Sequence, residues 1–245
     1  MGLPGTLTKD KFGFSMPLDA PLFYPLPIFY KDVSMLLFQY VTDPAAAAAL
    51  LPKPLELADP PIVIMLFANY PWSTLGPYRE TAQAIRCVYK GKSMNYAARL
   101  HVTNDAAMAA GREIAGFPKK LGEIEFINDE TYFSYLERPK GLRICSGVLK
   151  PIKVIPGAIP MTFDFATVRL IPSPEPGAPP SLVQLVQTQW VLSSGEMWGG
   201  VGTCQFTGAS DSDPYHRLPI VKPVATSLFR GEMQIAGAAH VLENL

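Results

Sequence analysis

The sequence predicts a β-rich α+β fold: an antiparallel sheet system, curled or closed, with short peripheral helices packed outside, formed as a single domain over residues 1–245. Three observations carry this prediction. Short runs of β-branched and aromatic residues, bounded by proline, glycine or asparagine, recur along most of the chain. Only two alanine-rich stretches and the C-terminal segment carry helix signals. No shift in composition divides the 245 residues, a length that one large domain accommodates.

Pro17, Pro21, Pro25 and Pro27 are spaced so that no helix crosses them, which predicts an extended arm over the first thirty residues. Ser34 to Thr42 reads as a strand. Asp43-Pro44 ahead of five alanines supplies an N-cap and a proline in the first turn, so a short helix follows, ended by Pro52 and Pro54. Ile62 to Phe67, Gln83 to Tyr89 and Met94 to Val102 read as strands. Asn104 and Asp105 cap a second helix that Gly111 weakens and Gly116 ends, with Pro118 barring its continuation. Leu121 to Phe126 and Thr131 to Leu136 alternate around an Asn128-Asp129 turn, the pattern of a hairpin. Further strands are expected at Leu142 to Leu149, Met161 to Ile171, Leu182 to Leu192, Gly200 to Phe206 and Pro223 to Ile235. A proline-rich loop spans Ser173 to Pro180, and Ala236 to Leu245 is expected to form a terminal helix.

Composition narrows the function classes. Lysine plus arginine equals aspartate plus glutamate at 21 each, so no net field attracts nucleic acid or an anionic membrane. A small molecule or a second copy of the chain is the expected partner. Charged residues make up 17% of the chain against 48% hydrophobic, more apolar surface than a monomer hides, which predicts a homo-oligomer. Cys87, Cys145 and Cys204 form no CxxC or cysteine-histidine pattern and read as reduced thiols of a cytoplasmic protein. The opening residues lack the pattern of a secretory signal, and the longest apolar run, Ile62 to Ala68, is too short to span a bilayer. His101, His216 and His240 are not spaced as metal ligands, and no Gly-x-Ser-x-Gly turn exists, so neither a metal nor a serine hydrolase is expected. Gly199-Gly200-Val201-Gly202 has no following helix and reads as a bulge or turn rather than a phosphate loop.

The segment Gly116-Phe117-Pro118-Lys119-Lys120-Leu121 sets two ammonium groups between an aromatic-proline turn and an apolar strand. Solvated surface lysines are the plain reading of such a pair. A lysine amine is nucleophilic only in its neutral form, which desolvation or a neighbouring cation favours, and this address offers both. Glu80, in a turn ahead of a strand and among aromatic neighbours, offers a carboxyl for proton transfer or an ordinary ion pair with Arg79 or Arg86. Tyr78 and Phe117 read singly as core residues.

The run Gly111-Arg112-Glu113-Ile114-Ala115-Gly116-Phe117-Pro118-Lys119-Lys120-Leu121-Gly122 resembles the signature of the acetoacetate decarboxylase family. Tyr78 to Ile85 resembles that family's glutamate-containing segment, and Tyr40-Val41-Thr42-Asp43 the chain before its first helix. Val168 to Pro172 and Leu218 to Val221 extend the likeness along most of the chain. The resemblance implies a barrel-like antiparallel core, homo-oligomeric assembly and no external cofactor. It makes Lys119 the imine-forming lysine, Lys120 its cationic neighbour, Glu80 the acid-base carboxylate, and Phe117 an aromatic substrate wall. The family's substrate-site arginine falls by count at Val33, and a second carboxylate at Met65, so both become substrate-wall positions with less charge than the family pattern. Decarboxylation of a β-keto acid, acetoacetate by default, is the implied reaction. Aldol condensation and dehydration of pyruvate-like oxo acids through the same lysine, or a non-catalytic barrel that binds an apolar ligand, are the alternatives.

Overall fold

A computed structural model describes residues 2–237 and 239–245. The expected extended arm is corrected: besides a short turn at Lys9–Lys11, the chain folds back over residues 13–22, where Gly13 N donates to Leu18 O at 2.8 Å and Ala20 N to Pro17 O at 3.2 Å, and the sheet begins at β1 (Ile28–Val41). Helix α1 (Pro44–Ala48) is capped as expected, the Asp43 carboxylate accepting from Ala46 N at 2.7 Å. Strands β2 (Glu56–Leu57), β3 (Ile62–Tyr70), β4 (Trp72–Ser73), β5 (Tyr78–Tyr89) and β6 (Lys92–Val102) follow. Helix α2 (Asp105–Ala110) starts at Asn104, whose side chain accepts from Ala107 N at 2.8 Å, and widens into a π-type turn over Gly111–Ala115. The rest is β7 (Lys119–Leu121), β8 (Glu123–Asn128), β9 (Tyr132–Glu137), β10 (Arg143–Val154), β11 (Met161–Ile171), β12 (Leu182–Phe206), β13 (Lys222–Ile235) and β14 (His240–Asn244).

Strands β11, β6, β5, β3, β1, β13 and β12 are hydrogen-bonded in that order, and β12 pairs again with β11, which closes a ring. Pairing is antiparallel throughout except where β6 meets β11 and β7 in parallel. The closure depends on β12, a strand of 25 residues that pairs first with β11, then with β13 and finally with β10. The two strands expected at Leu182 to Leu192 and Gly200 to Phe206 are thus one. A register shift at Ser193 bends it from one partner to the next.

Two apolar clusters follow from the strand period of two. Tyr30, Met35, Leu66, Ala82, Phe117 and Trp190 belong to the cluster inside the ring. Leu36, Phe38, Val63 and Phe67 belong to a second cluster, with Ile124, Leu136 and Ile144 of the β8–β9–β10 layer that covers the outside of the wall. The expected terminal helix is corrected: His240–Asn244 is a strand on the Gln184–Gln187 edge of β12, and Ala238, also in the expected helix, lies outside the described residues. A ten-residue helix is marginal alone, whereas pairing satisfies the open edge of β12.

Candidate active site

Glu80 lies inside β5 rather than in a turn ahead of it, because the strand begins at Tyr78 and Glu80 is paired with Ala68 of β3 and Val102 of β6. Alternation puts its carboxyl on the inner face with Tyr78, Ala82 and Ala84. Lys119 arrives from the opposite side. Gly116 turns the chain in the left-handed conformation, φ 74° and ψ 17°, and a Cβ there would sit 2.5 Å from Arg169 N, so both the backbone and the packing demand glycine. Phe117 N donates to Gly111 O at 2.9 Å, and Lys119 then enters β7 opposite Leu100. Arg112 donates to Lys119 O at 3.2 Å and Arg169 to Glu113 O at 2.6 Å, so the Gly-Arg-Glu stretch serves to hold backbone.

The Nζ of Lys119 stands 3.0 Å from Glu80 Oε2, with the side chains 3% and 1% exposed. The contact is one of charge at close range without hydrogen-bond alignment, and it leaves Oε2 buried with no aligned donor. Glu80 therefore pairs with neither Arg79 nor Arg86; Arg79 instead meets Glu125 at 3.0 Å. Tyr70 donates to Glu80 Oε1 at 3.3 Å, and the Tyr30 and Tyr78 hydroxyls lie 2.9 Å apart. The Tyr70 ring centroid is 4.7 Å from those of both Tyr30 and Tyr78, and the Lys119 ammonium lies 5.7 Å from the Tyr78 centroid and 5.8 Å from that of Phe117. Burial raises the pKa of all three tyrosines well above the usual phenol range, so their hydroxyls remain protonated donors. A narrow cleft reaches Lys119 between Tyr30, Leu75, Ala107, Gly111, Ile114 and Phe117.

Lys120 does not join this group, which corrects its expected role. Successive residues of β7 face opposite sides, and its ammonium donates to Ser212 O and, at 3.0 Å, to Asp213 Oδ1 on the outer face. His101, opposite Lys120 in the register, meets the same carboxylate through Nε2 at 3.0 Å, and Arg138 reaches it through Nε at 3.0 Å. Burial drives the His101 pKa down to about 4 despite that carboxylate, so the ring is neutral at pH 7. With Asp213 accepting from Nε2–H, Nδ1 takes the hydrogen bond of the Tyr215 hydroxyl at 3.0 Å. This cluster pins β6 to β7 behind Lys119.

Phe117 and Val33 face the ring interior with Lys119 and Glu80, whereas Met65 does not. Met65 lies on the outer face of β3 with Val63 and Phe67, and the inner positions on either side of it are Ile64 and Leu66. A one-residue displacement in counting along a strand reverses the face. Tyr30 and Tyr70 escape sequence reasoning because only the pairing of β1, β3 and β5 brings them to Glu80; a tyrosine at the end of each inner strand face is the signal that was available.

These features agree with comparisons to known proteins. The family model described as Acetoacetate decarboxylase (ADC) matches residues 15–245. Decarboxylase DEC1 of Cochliobolus heterostrophus is 30% identical over 243 residues, covering 94% of this chain and 95% of that protein. A solved acetoacetate decarboxylase superposes with a TM-score of 0.87 at 25% identity, over 97% of this chain and 99% of the other. The enduracididine biosynthesis enzyme MppR, solved with the condensation product of pyruvate and imidazole 4-carboxaldehyde, shares the fold at a TM-score of 0.80 and 20% identity, over 98% and 99% of the two chains. The β-rich ring, the Lys119 signature and a family match over nearly the whole chain lead to one conclusion: the protein belongs to the acetoacetate decarboxylase family.

Proposed function

We propose that this protein is a carboxy-lyase that decarboxylates a β-keto acid through an imine on Lys119, acetoacetate being the simplest substrate. The observation that carries the reading is the buried 3.0 Å contact between Lys119 and Glu80 inside an aromatic, apolar box. Moving the ammonium proton to Glu80 leaves a free amine and a carboxylic acid with no net charge in the box. The amine then attacks the substrate ketone. Glu80 returns its proton to the departing hydroxyl, water leaves, and an iminium forms. The bond from the α-carbon to the carboxylate breaks, its electron pair enters the carbon–carbon double bond of an enamine, and CO2 departs. Protonation of the enamine carbon regenerates an iminium that water hydrolyses to the ketone and free Lys119. Val33, with Leu66 where sequence counting had Met65, presents apolar rather than charged walls, which favours loss of charge from the substrate carboxylate as CO2.

The test is CO2 release from acetoacetate by purified wild type, Lys119→Arg and Glu80→Gln. A guanidinium cannot deprotonate to form the imine, so Lys119→Arg is expected to fall to background. Glu80→Gln is expected to lose about 10²–10⁴-fold in kcat, the usual range of general acid–base catalysis. Full turnover by Lys119→Arg would overturn the reading. Consumption of pyruvate with an aldehyde, without CO2 release, would instead assign the lysine to aldol chemistry, and ligand binding indifferent to both substitutions would indicate a non-catalytic barrel. The reading includes a homo-oligomer in a reducing, cytoplasmic setting, supported by exposed Leu3, Leu7, Phe14 and Met16 on the arm and by three free buried cysteines. Light scattering that returns the mass of one chain would remove the oligomer from it.

A further inference from the structure

Resting on the imine chemistry above, we infer that Tyr70 is a positioning residue for that reaction. Its hydroxyl occupies Glu80 Oε1, so the proton that Glu80 takes from Lys119 and returns to the substrate travels through Oε2 alone. The placement follows from the strands. Glu80 of β5 is paired with Ala68 of β3, and Tyr70 stands two residues further along the same inner face, diagonal to the carboxylate. A diagonal neighbour about 7–8 Å away is within reach of an aromatic side chain. The small Ala68 side chain leaves the carboxylate open on that side, and the Tyr70 hydroxyl donates to Oε1 at 3.3 Å.

Tyr70 has no room to turn away. It is buried, its ring centroid lies 4.7 Å from those of Tyr30 and Tyr78, and these two are joined to each other through their hydroxyls at 2.9 Å. Burial, with the charge of Glu80 adding to it, keeps the Tyr70 hydroxyl protonated, so it donates a hydrogen bond without giving up its proton. A carboxyl group that accepts at Oε1 carries its own proton on Oε2; a proton on Oε1 would turn the Tyr70 O–H away from its acceptor. Oε2 is the oxygen 3.0 Å from Lys119 Nζ, and it has no hydrogen-bond partner of its own. Tyr70 thus leaves Glu80 one working end and aims it at the lysine. Without the hydroxyl, the carboxyl is free to rotate about its last bond, and misplacement of a reacting group slows the chemistry rather than binding.

The experiment measures kcat and KM for acetoacetate with wild type, Tyr70→Phe, Glu80→Gln and the double variant, with melting curves as the control for folding. Tyr70→Phe keeps the ring and is expected to lower kcat about ten-fold with KM within about two-fold, since Tyr70 acts through Glu80 and not on the substrate. Beside Glu80→Gln the same change is expected to cost less than about two-fold, because no acid remains to be positioned. An equal loss in both backgrounds would show a packing role, and a raised KM with kcat unchanged would show direct substrate contact. Either result, or wild-type turnover by Tyr70→Phe, would overturn the inference and leave the imine reading standing. Should Tyr70→Phe fail to fold, Tyr78→Phe breaks the hydroxyl pair that holds Tyr70 and keeps its ring. A loss in kcat of about two- to three-fold that vanishes beside Glu80→Gln is then expected, and the same loss in both backgrounds would overturn the inference. Full turnover by Glu80→Gln would remove the carboxylate from the reading and Tyr70 with it, and absence of turnover by wild type would overturn both.

Discussion

Gly111 shapes the site through the methyl group it lacks. Its backbone is helical, φ −60° and ψ −44°, so no torsional reason calls for glycine, and alanine would be about 1 kcal/mol better on helix propensity alone. A Cβ there would lie 2.5 Å from Lys119 Cδ and 2.7 Å from Cε, and the lysine cannot swing away without leaving Glu80. Gly111→Ala is therefore expected to change the melting temperature little while lowering kcat at least ten-fold; unchanged turnover would show that the stem has other room. Sequence reading found Lys119 because its neighbours form a long and unusual string. It read Gly111 only as a weak point in a helix, since nothing local reveals what packs against it. Lys120 was legible as charged but not as facing Asp213. Its side chain is 41% exposed, so Lys120→Ala is expected to cost at most about 1 kcal/mol in urea denaturation and to leave turnover within a few-fold. Loss of activity on the scale of Lys119→Arg would restore Lys120 to the chemistry.

At the scale of elements, strand alternation was as legible as the strand boundaries allowed. Once Glu80 is counted into β5 its inward direction follows, whereas a turn assignment leaves it undirected. The same rule sends His101 outward to the Asp213 cluster that backs β7, and this carries a pH dependence. His101 titrates near 4 in the fold against an ordinary 6.5, because burial resists its charging. Above about pH 6.5 the ring is neutral in both folded and unfolded chains and contributes nothing. Between 6.5 and 4 the unfolded chain takes up a proton that the folded one refuses, so stability falls with falling pH, by on the order of 3 kcal/mol. Burial alone would raise Asp213, but hydrogen bonds from Lys120 and His101 outweigh it and hold it below the usual carboxylate range, which extends the loss to lower pH. Unfolding free energies measured from pH 7 to 4 should show this slope in wild type and a flatter one in His101→Asn; parallel slopes would contradict it.

The whole molecule is a closed ring with a second layer outside, and the ring is what removes the site from water. Sequence patterns gave most strands and both N-capped helices, because caps, alternation and prolines act locally. Ring closure was not readable from them: it depends on β12 changing partners along 25 residues and on pairings such as Tyr30 with Met233 and Ser34 with Asn69, far apart in the chain. Family resemblance supplied the barrel, and the tyrosine box around Glu80 emerged only when distant strands met. Such an interior suits a reaction that needs an uncharged amine and releases a neutral gas. The most direct test is reduction with borohydride in the presence of acetoacetate, followed by intact mass and peptide mapping. The account predicts a single adduct of the mass of reduced acetone on Lys119, which requires both imine formation and loss of CO2. An unmodified Lys119, an adduct on another lysine, or an adduct that retains the substrate carboxylate would contradict it.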